Sequence, residues 1–500
     1  MTIRELLRSL GDVTLLDGLD ERLLDTEAAG LCTDSREVRP GSVFVAIGGF
    51  RVDGRRFAAG ALRAGAAVVA GEGDAPEGVP AGRWFRVSDA RHAAAKLSAA
   101  WNGYPSHTMD VYAVTGTNGK TTVATLVHDL LVSLGVPCGL ISTVENDYGA
   151  GPREPADHTT PDPIALHRAL ARIRDNGCRA VAMEVSSQAL DQRRTDGMLF
   201  SVACFTNLTR DHLDYHGTME RYFESKRHLF ELLAENPYGI AVVNLDDPHG
   251  AGLVDWLRAR RVACVTYGEA AEADVRAEDV RTGLDGVRFR LVTARHGSVE
   301  VHSPLLGRHN VSNLLAVFAM ASHLGHPLRV VARVLGAHPC VCGRLERIPA
   351  PGDSPAWFVD YAHTPDALDH ALRTLREAAT GRLVAVFGCG GDRDRGKRPQ
   401  MGAVASAIAD EVVLTSDNPR GEEPGAILAD ILAGVPEEAR GRVRVEPDRR
   451  RAIALAARLV RGAGDAVLVA GKGHERGQIF ADRTEPFDDH EAVTAVLAAP

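Results

Sequence analysis

The stretch Val111-Tyr-Ala-Val-Thr-Gly-Thr-Asn-Gly-Lys-Thr-Thr122 constrains this chain more than any other. An apolar run breaks at Gly116 and Gly119. Lys120, Thr121 and Thr122 follow, and Val123 to Leu134 continues with helical periodicity. A strand, a phosphate loop and a helix are expected. Glycines let backbone N–H groups close on a phosphate, and the free amides at the start of the next helix favour an anion. Thr117 and Asn118 complete the loop, Lys120 would place a charge on the outer phosphates, and the hydroxyl of Thr121 or Thr122 would be a hard ligand for Mg²⁺. Val114 stands where the full Walker pattern has its first glycine, so the loop is a shortened variant. The competing reading is a glycine turn before a helix.

A chain of 500 residues is too long for one core and implies two to four domains. No apolar run is long enough to cross a bilayer, and charge at the N-terminus stands where a signal peptide needs its apolar segment. The expectation is a cytoplasmic protein without membrane insertion, and a monomer by default. The net charge of −9 argues against nucleic acid as a partner. The eight cysteines are scattered, and only Cys340 and Cys342 are close. Their spacing fits neither a zinc pair nor a redox pair, so reduced thiols are expected.

Three regions follow from the patterning. Residues 1–108 mix short strands such as Ser42–Ala46 and Ala66–Ala70 with Ala-rich helices, and 102–107 reads as a linker. Residues 109–338 alternate strands (139–144, 180–185, 203–208, 240–244) with helices, which implies a mostly parallel sheet covered on both faces. Within them, 273–304 alternates with period two, as an antiparallel addition would. Residues 339–500 restart the pattern with strands at 357–361, 383–387, 411–415, 443–445 and 466–470, a second doubly wound unit. The expected class is α/β with three domains: an N-terminal domain, a central P-loop-type domain with a mostly parallel sheet, and a C-terminal Rossmann-like doubly wound domain.

Other chemistry gathers at predicted strand ends, where doubly wound sheets bind ligands. Met183-Glu-Val-Ser-Ser187 supplies a carboxylate and hydroxyls, and the run from Thr206 to His216 adds carboxylates and two imidazoles. Glu184 and His212 would suit Mg²⁺, which takes few protein ligands, better than zinc, since no second His or Cys lies at a helical spacing from His212. A serine-capped strand end explains the first run equally well. Lys226 alone reads as a solvated helix lysine, Thr33-Asp-Ser-Arg36 as a capped turn, and Asp417-Asn-Pro-Arg420 as a tight turn after a strand.

Together the motifs resemble one family, the Mur ligases, and within it the diaminopimelate-adding branch. Gly116–Thr122, Glu184–Ser187, Thr206–Gly217, Gly307-Arg-His-Asn310, Gly343-Arg-Leu-Glu346 and Asp360–Asp366 carry the resemblance. So do Gly388–Arg393, Asp417–Arg420 and Gly471-Lys-Gly-His-Glu475. They span nearly the whole chain in order.

The resemblance implies an ATP-dependent amide ligase of peptidoglycan synthesis, with ATP and Mg²⁺ as cofactors and a UDP-muramoyl dipeptide and meso-diaminopimelate as substrates. Residues 1–108 would hold the UDP end, 109–338 would bind ATP, and 339–500 would bring the amino acid. Lys120, Glu184, His212 and Lys226 would be catalytic, with Lys226 carbamylated and holding metal beside Thr121, Glu184 and His212. Ser35, Thr159, Thr160, Ser186, Gln192 and Arg194 would meet the UDP substrate. Asn310, Arg344, Asp360 and His363 would line the nucleotide. Arg393, Asp417, Asn418, Pro419, Arg420, Gly471 and Glu475 would receive the amino acid. Physical chemistry agrees on one point: diaminopimelate differs from lysine by one carboxylate, and a guanidinium grips a carboxylate through two hydrogen bonds.

The sequence departs from the family pattern at Arg56, Gln188, the Cys340-Val-Cys342 run and His490. Arg56 and Gln188 bear on the UDP substrate, so a paralogue with another carboxylate acceptor stays open. A P-loop ATPase switch is the rival of another class.

Overall fold

The computed structural model describes residues 1–11, 18–49, 52–294, 296–321, 325, 327–338, 345–350, 352, 354–473 and 475–498. They form two compact units, 1–276 with 312–327 and 277–311 with 328–500.

The first unit opens with a four-stranded parallel sheet, β1 (Gly30–Cys32), β2 (Ser42–Ala46), β3 (Val68–Glu72) and β4 (Trp84–Val87), paired in chain order. Successive side chains of a strand point to opposite faces. Val43 and Val45 therefore enter one cluster with Leu97 of the helix Ala90–Trp101, while Phe44 and Ala46 enter another with Ala58 and Ala61. Asp89 caps that helix by accepting from the N–H groups of Arg91 and His92. The segment read as a linker is partly ordered, with a short 3-10 turn at Pro105–His107.

The same unit continues with β5 (Asp110–Thr115), β6 (Cys138–Ile141), β7 (Glu145–Asp147), β8 (Glu154–Pro155), β9 (Ala180–Glu184), β10 (Val202–Phe205), β11 (Ile240–Asn244) and β12 (Ala263–Gly268). Their order is β12-β11-β10-β5-β9-β6-β7-β8, parallel from β12 to β6, with β7 and β8 antiparallel at the edge. Strands β5, β9 and β10 are buried along nearly their whole length, which is why they read as continuous apolar runs rather than alternations. Their carboxyl ends lie side by side, so the loops after 115, 184 and 205 meet.

The second unit takes up β13 (Val275–Gly283) from Ala277 onward, β14 (Gly286–Thr293) and β15 (Gly297–Ser303), with β14 and β15 antiparallel as the period-two pattern anticipates. Its larger sheet comprises β16 (Glu346–Ile348), β17 (Ala356–Asp360), β18 (Leu383–Phe387), β19 (Glu411–Leu414), β20 (Val443–Val445) and β21 (Ala466–Ala470). The order is β16-β17-β21-β18-β19-β20, parallel except at β16. Phe358, Ala385 and Leu468 point into one layer, and Trp357, Val359, Val384 and Val469 into the other, so helices cover both faces. A hairpin of β22 (Gly477–Ile479) and β23 (Thr484–Pro486) follows. The alternating pattern did not reveal β1, β4, β12 or this hairpin, which are short or partly polar.

The six described cysteines are free thiols, five of them buried. Burial pushes the Cys204 thiol up to about 12, as expected of core filler rather than of a nucleophile. Cys340 and Cys342 lie outside the described residues. Among the described residues no helix is long and apolar enough to cross a membrane.

Candidate active site

The phosphate loop joins β5 to the helix Lys120–Ser133. Gly116 and Gly119 have φ of +151° and +86°, where a side chain is strained. Space forbids one too: a Cβ on Gly116 would strike Thr206 Oγ1, and one on Gly119 the Asn313 side chain. The loop after β10 supports the phosphate loop. Asn207 O accepts from Thr117 N at 2.9 Å, Asn207 Oδ1 accepts from Asn118 N at 2.9 Å, and Thr206 Oγ1 donates to Asn118 O at 2.6 Å.

Two lysine side chains converge on this loop. Lys120 Nζ donates to Gly116 O at 3.0 Å and Thr117 O at 2.8 Å, and Lys226 Nζ donates to the same Gly116 O at 2.7 Å. Lys226 comes from the helix Met219–Leu233, is 1% exposed, and lies over the Tyr222 ring at 4.4 Å. The sequence alone read it as a solvated lysine; the fold buries it. Burial, and then the charge of Lys120, draw its pKa well below the ordinary lysine value, although Asp211 pulls the other way. Both side-chain nitrogens thus share the Gly116 carbonyl oxygen.

Glu184, at the end of β9, is fully buried, and its carboxylate accepts from Thr143 N at 2.7 Å and Thr143 Oγ1 at 3.1 Å. Thr143 Oγ1, its one hydrogen committed to Glu184, accepts in turn from Thr159 Oγ1 at 3.1 Å. Thr160 Oγ1 donates to Glu184 O and accepts from Ser186 N, and Arg194 Nη1 donates to Thr160 O at 2.7 Å. Arg194 Nη2 also holds Gln192 Oε1 at 2.9 Å, and Gln192 Nε2 donates to Tyr215 OH. Thr159, Thr160, Glu184, Ser186, Gln192 and Arg194 therefore form one connected cluster. Thr143 joins it without having been singled out; a lone threonine after a strand carries no sequence signal. Among the described residues no hydrogen bond ties Ser35 to this cluster. It sits in the short turn Ser35–Glu37, capped by Asp34.

His212 has φ +51°, is about half exposed, and meets Tyr222 edge to face with ring centroids 6.2 Å apart. Among the described residues no three His, Cys, Asp or Glu side chains converge as a metal-binding group. The oxygens near the loop, the Glu184 carboxylate and the hydroxyls of Thr121 and Thr122, suit a hard cation that keeps water and phosphate oxygens as its other ligands.

In the second unit Asn310 Nδ2 donates to Leu306 O at 2.7 Å near the start of the helix Arg308–Ala321. Asp360 ends β17 and accepts from Leu345 N at 2.6 Å and Ala362 N at 2.7 Å. His363 O accepts from Lys397 Nζ at 2.8 Å. Arg344 lies outside the described residues.

The loops after β18 and β19 are laced together. Gly391 N donates to Asn418 O, Arg420 Nη1 donates to Gly391 O at 3.0 Å, and Gly421 N donates to Asp392 Oδ2. A Cβ on Gly390 would stand 2.8 Å from Arg420 Nη1 and 3.7 Å from Arg393 Cγ, so both arginines flank this glycine. A Cβ on Gly391 would strike Pro419 O. Behind them the buried Arg398 grips both Glu422 oxygens at 2.8 and 3.0 Å and donates to Gly390 O. Arg398, with the Asp392 N–H, holds the Glu422 carboxyl down at about 2. Gly471, φ +115°, donates its N–H to Asp360 O, and Glu475 Oε2 accepts from Asn418 Nδ2 at 2.8 Å. Asp417 and Asn418 are 7% and 4% exposed, deeper than a residue called by sequence as a direct contact would suggest.

Three family models match the chain: the Mur ligase family catalytic domain over residues 27–102, the Mur ligase middle domain over 114–321, and the Mur ligase glutamate ligase domain over 343–473. The chain belongs to the Mur ligase family. It is 44% identical over 494 residues to the UDP-N-acetylmuramoyl-L-alanyl-D-glutamate--2,6-diaminopimelate ligase of Geobacter metallireducens, covering 95% of each chain. It is 45% identical over 500 residues to the ligase of the same name from Thermosynechococcus vestitus, covering 99% of this chain and 98% of that one. A solved structure of a ligase of that name superposes with a TM-score of 0.75 at 35% identity, over 99% and 98% of the two chains.

Proposed function

We propose that this chain joins meso-diaminopimelate to the D-glutamate carboxylate of UDP-N-acetylmuramoyl-L-alanyl-D-glutamate, with ATP converted to ADP and phosphate, in peptidoglycan precursor synthesis. The observation that carries the reading is its identity of 44–45% to ligases of that name over 95–99% of its length. The three regions 1–108, 109–338 and 339–500 would serve the UDP substrate, ATP and the amino acid respectively.

A carboxylate is a poor electrophile, so the substrate carboxylate attacks the γ-phosphorus of ATP and releases ADP, leaving an acyl phosphate. The amine of diaminopimelate then attacks the acyl carbon. The tetrahedral adduct collapses with loss of inorganic phosphate and an amine proton, and the amide remains. Bringing an anionic carboxylate to an anionic phosphate requires positive charge at the site. Lys120 and the loop N–H groups from Gly116 to Thr121 supply it, and the Lys120 ammonium exchanges its carbonyl partners for phosphate oxygens. Thr121, Glu184, His212 and a carbamylated Lys226 would hold Mg²⁺, which supplies further charge neutralisation. Thr160, Ser186, Gln192 and Arg194 hold the UDP substrate on the side of Glu184. Arg393 and Arg420 receive the carboxylate that distinguishes diaminopimelate from lysine, and Glu475 receives an ammonium.

Phosphate release is measured with ATP, Mg²⁺ and UDP-N-acetylmuramoyl-L-Ala-D-Glu, adding meso-diaminopimelate, L-lysine or nothing. Release only with diaminopimelate is the expected result. Release without any amino acid points instead to an ATPase, and no release under all three conditions points to another acceptor, with Arg56 and Gln188 the residues to inspect.

A further inference from the structure

Lys472 follows β21 in the second unit, and its side chain is fully buried. Its Nζ donates to Gly477 O at 2.6 Å and to Asn418 Oδ1 at 2.9 Å, and lies 3.5 Å from both Asp417 Oδ1 and Glu475 Oε2. Asp417 Oδ1 accepts no hydrogen bond among the described residues, and the Lys472 ammonium, together with the buried Arg449 guanidinium, supplies its counter-charge. Removing that charge would leave the buried Asp417 carboxylate without the ammonium beside it.

The lysine also settles which way Asn418 points. Asn418 Oδ1 accepts from Lys472 Nζ and from Ile479 N at 3.0 Å, two donors that only an oxygen can receive. The amide hydrogens must therefore face the other way, where Nδ2 meets Glu475 Oε2 at 2.8 Å. Glu475 is thus held by one oxygen. Its side chain is about one-third exposed, and Oε1 accepts no hydrogen bond among the described residues. Order passes from the buried lysine, through a buried amide, to a carboxylate at the surface.

We propose that Lys472 is a specificity-determining positioning residue: through Asn418 it presents Glu475 with one oxygen turned outward to take an amino acid's ammonium group. This rests on the amino-acid site proposed above and adds to it the residue that orients it. Lys472 touches no substrate. The ligand class it selects is a zwitterionic amino-acid end, with the ammonium at Glu475 and the carboxylate at the arginines beside Gly390.

The test uses the full chain with Lys472→Met, Lys472→Gln, Glu475→Gln and the double variant Lys472→Met/Glu475→Gln, reading KM for each substrate and the melting temperature. Lys472→Met should raise KM for meso-diaminopimelate about tenfold or more, while KM for ATP and for the UDP substrate stays within about twofold. Lys472→Gln, which keeps a donor, should fall between Lys472→Met and wild type. Because the lysine acts through Glu475, the double variant should match Glu475→Gln rather than add the two effects. Equal rises in all three KM values, strict additivity, an unchanged diaminopimelate KM, or failure of both Lys472 variants to fold would each reduce Lys472 to a core residue and overturn the proposal. A wild-type chain that releases no phosphate with diaminopimelate instead overturns the functional reading, and this inference with it.

Discussion

At the phosphate loop Lys120 and Lys226 rest on backbone carbonyls, whereas in the laced loops of the second unit Arg395, Arg398 and Lys472 each meet a carboxylate. The difference fits what the proposed function asks each place to bind. Under the function proposed above, a loop that receives a phosphate chain would exchange the carbonyl acceptors of Lys120 for phosphate oxygens. A pocket proposed to tell two similar amino acids apart would need its recognition groups held in place beforehand, which supporting charges already paired with carboxylates provide. Arg420 belongs to both descriptions: its backbone is pinned at φ +52° and by Ile479 O, yet its guanidinium donates only to a neutral carbonyl, Gly391 O, among the hydrogen bonds described.

Breaking the first region should have the largest effect. Lys120→Ala removes a cation that the transition state needs, and kcat/KM for ATP-dependent phosphate release should fall by about a thousandfold or more. Retention of wild-type release would remove the loop from the mechanism. Breaking the second region should be selective. Arg420→Ala should raise KM for meso-diaminopimelate about thirtyfold, corresponding to about 2 kcal/mol for a charge-assisted pair, with KM for ATP unchanged within about twofold. Steady-state kinetics with each substrate varied in turn would show it, and equal losses for both substrates would erase the contrast.

The smallest effect probes a charge cluster within the first unit whose members bond to one another, which sharpens the comparison because none of them is proposed to meet a substrate. Asp196 is 1% exposed and meets His92 Nδ1 at 2.6 Å and His228 Nε2 at 2.9 Å. Burial alone would push its carboxyl up, but the bonds from His228 and His92 hold it at about 2. A depressed carboxyl stabilises the fold above the unfolded value near 3.9, and that stability is lost as pH falls through about 2. The contribution at neutral pH is roughly 2 kcal/mol. Asp196→Asn should therefore flatten the decline of urea midpoints between about pH 4 and pH 2, while diaminopimelate selectivity stays as in wild type.

Much of the fold was legible because fully buried parallel strands announce themselves as unbroken apolar runs. Ile240–Asn244, Leu383–Phe387 and Ala466–Ala470 were placed to the residue. Short strands such as Gly30–Cys32 and the hairpin at 477–486 were not, since three residues are too few to show a period. The strand, glycine turn and helix around Gly116 were equally legible, because an apolar run, glycines and a helical period follow one another there.

The sequence by itself determined the α/β class, the strand–turn–helix around Gly116 and the motifs that place the chain in its family, because each depends on neighbours along the chain. Only tertiary structure decided that Lys226 is buried against the phosphate loop, that Thr143 holds Glu184, and that Lys472 stands behind Asn418 and Glu475. Those contacts join residues from 41 to 110 positions apart in the chain, and no local pattern encodes which strand ends will lie side by side. The parallel sheets bring those ends together, and with them the charges that local sequence left without partners.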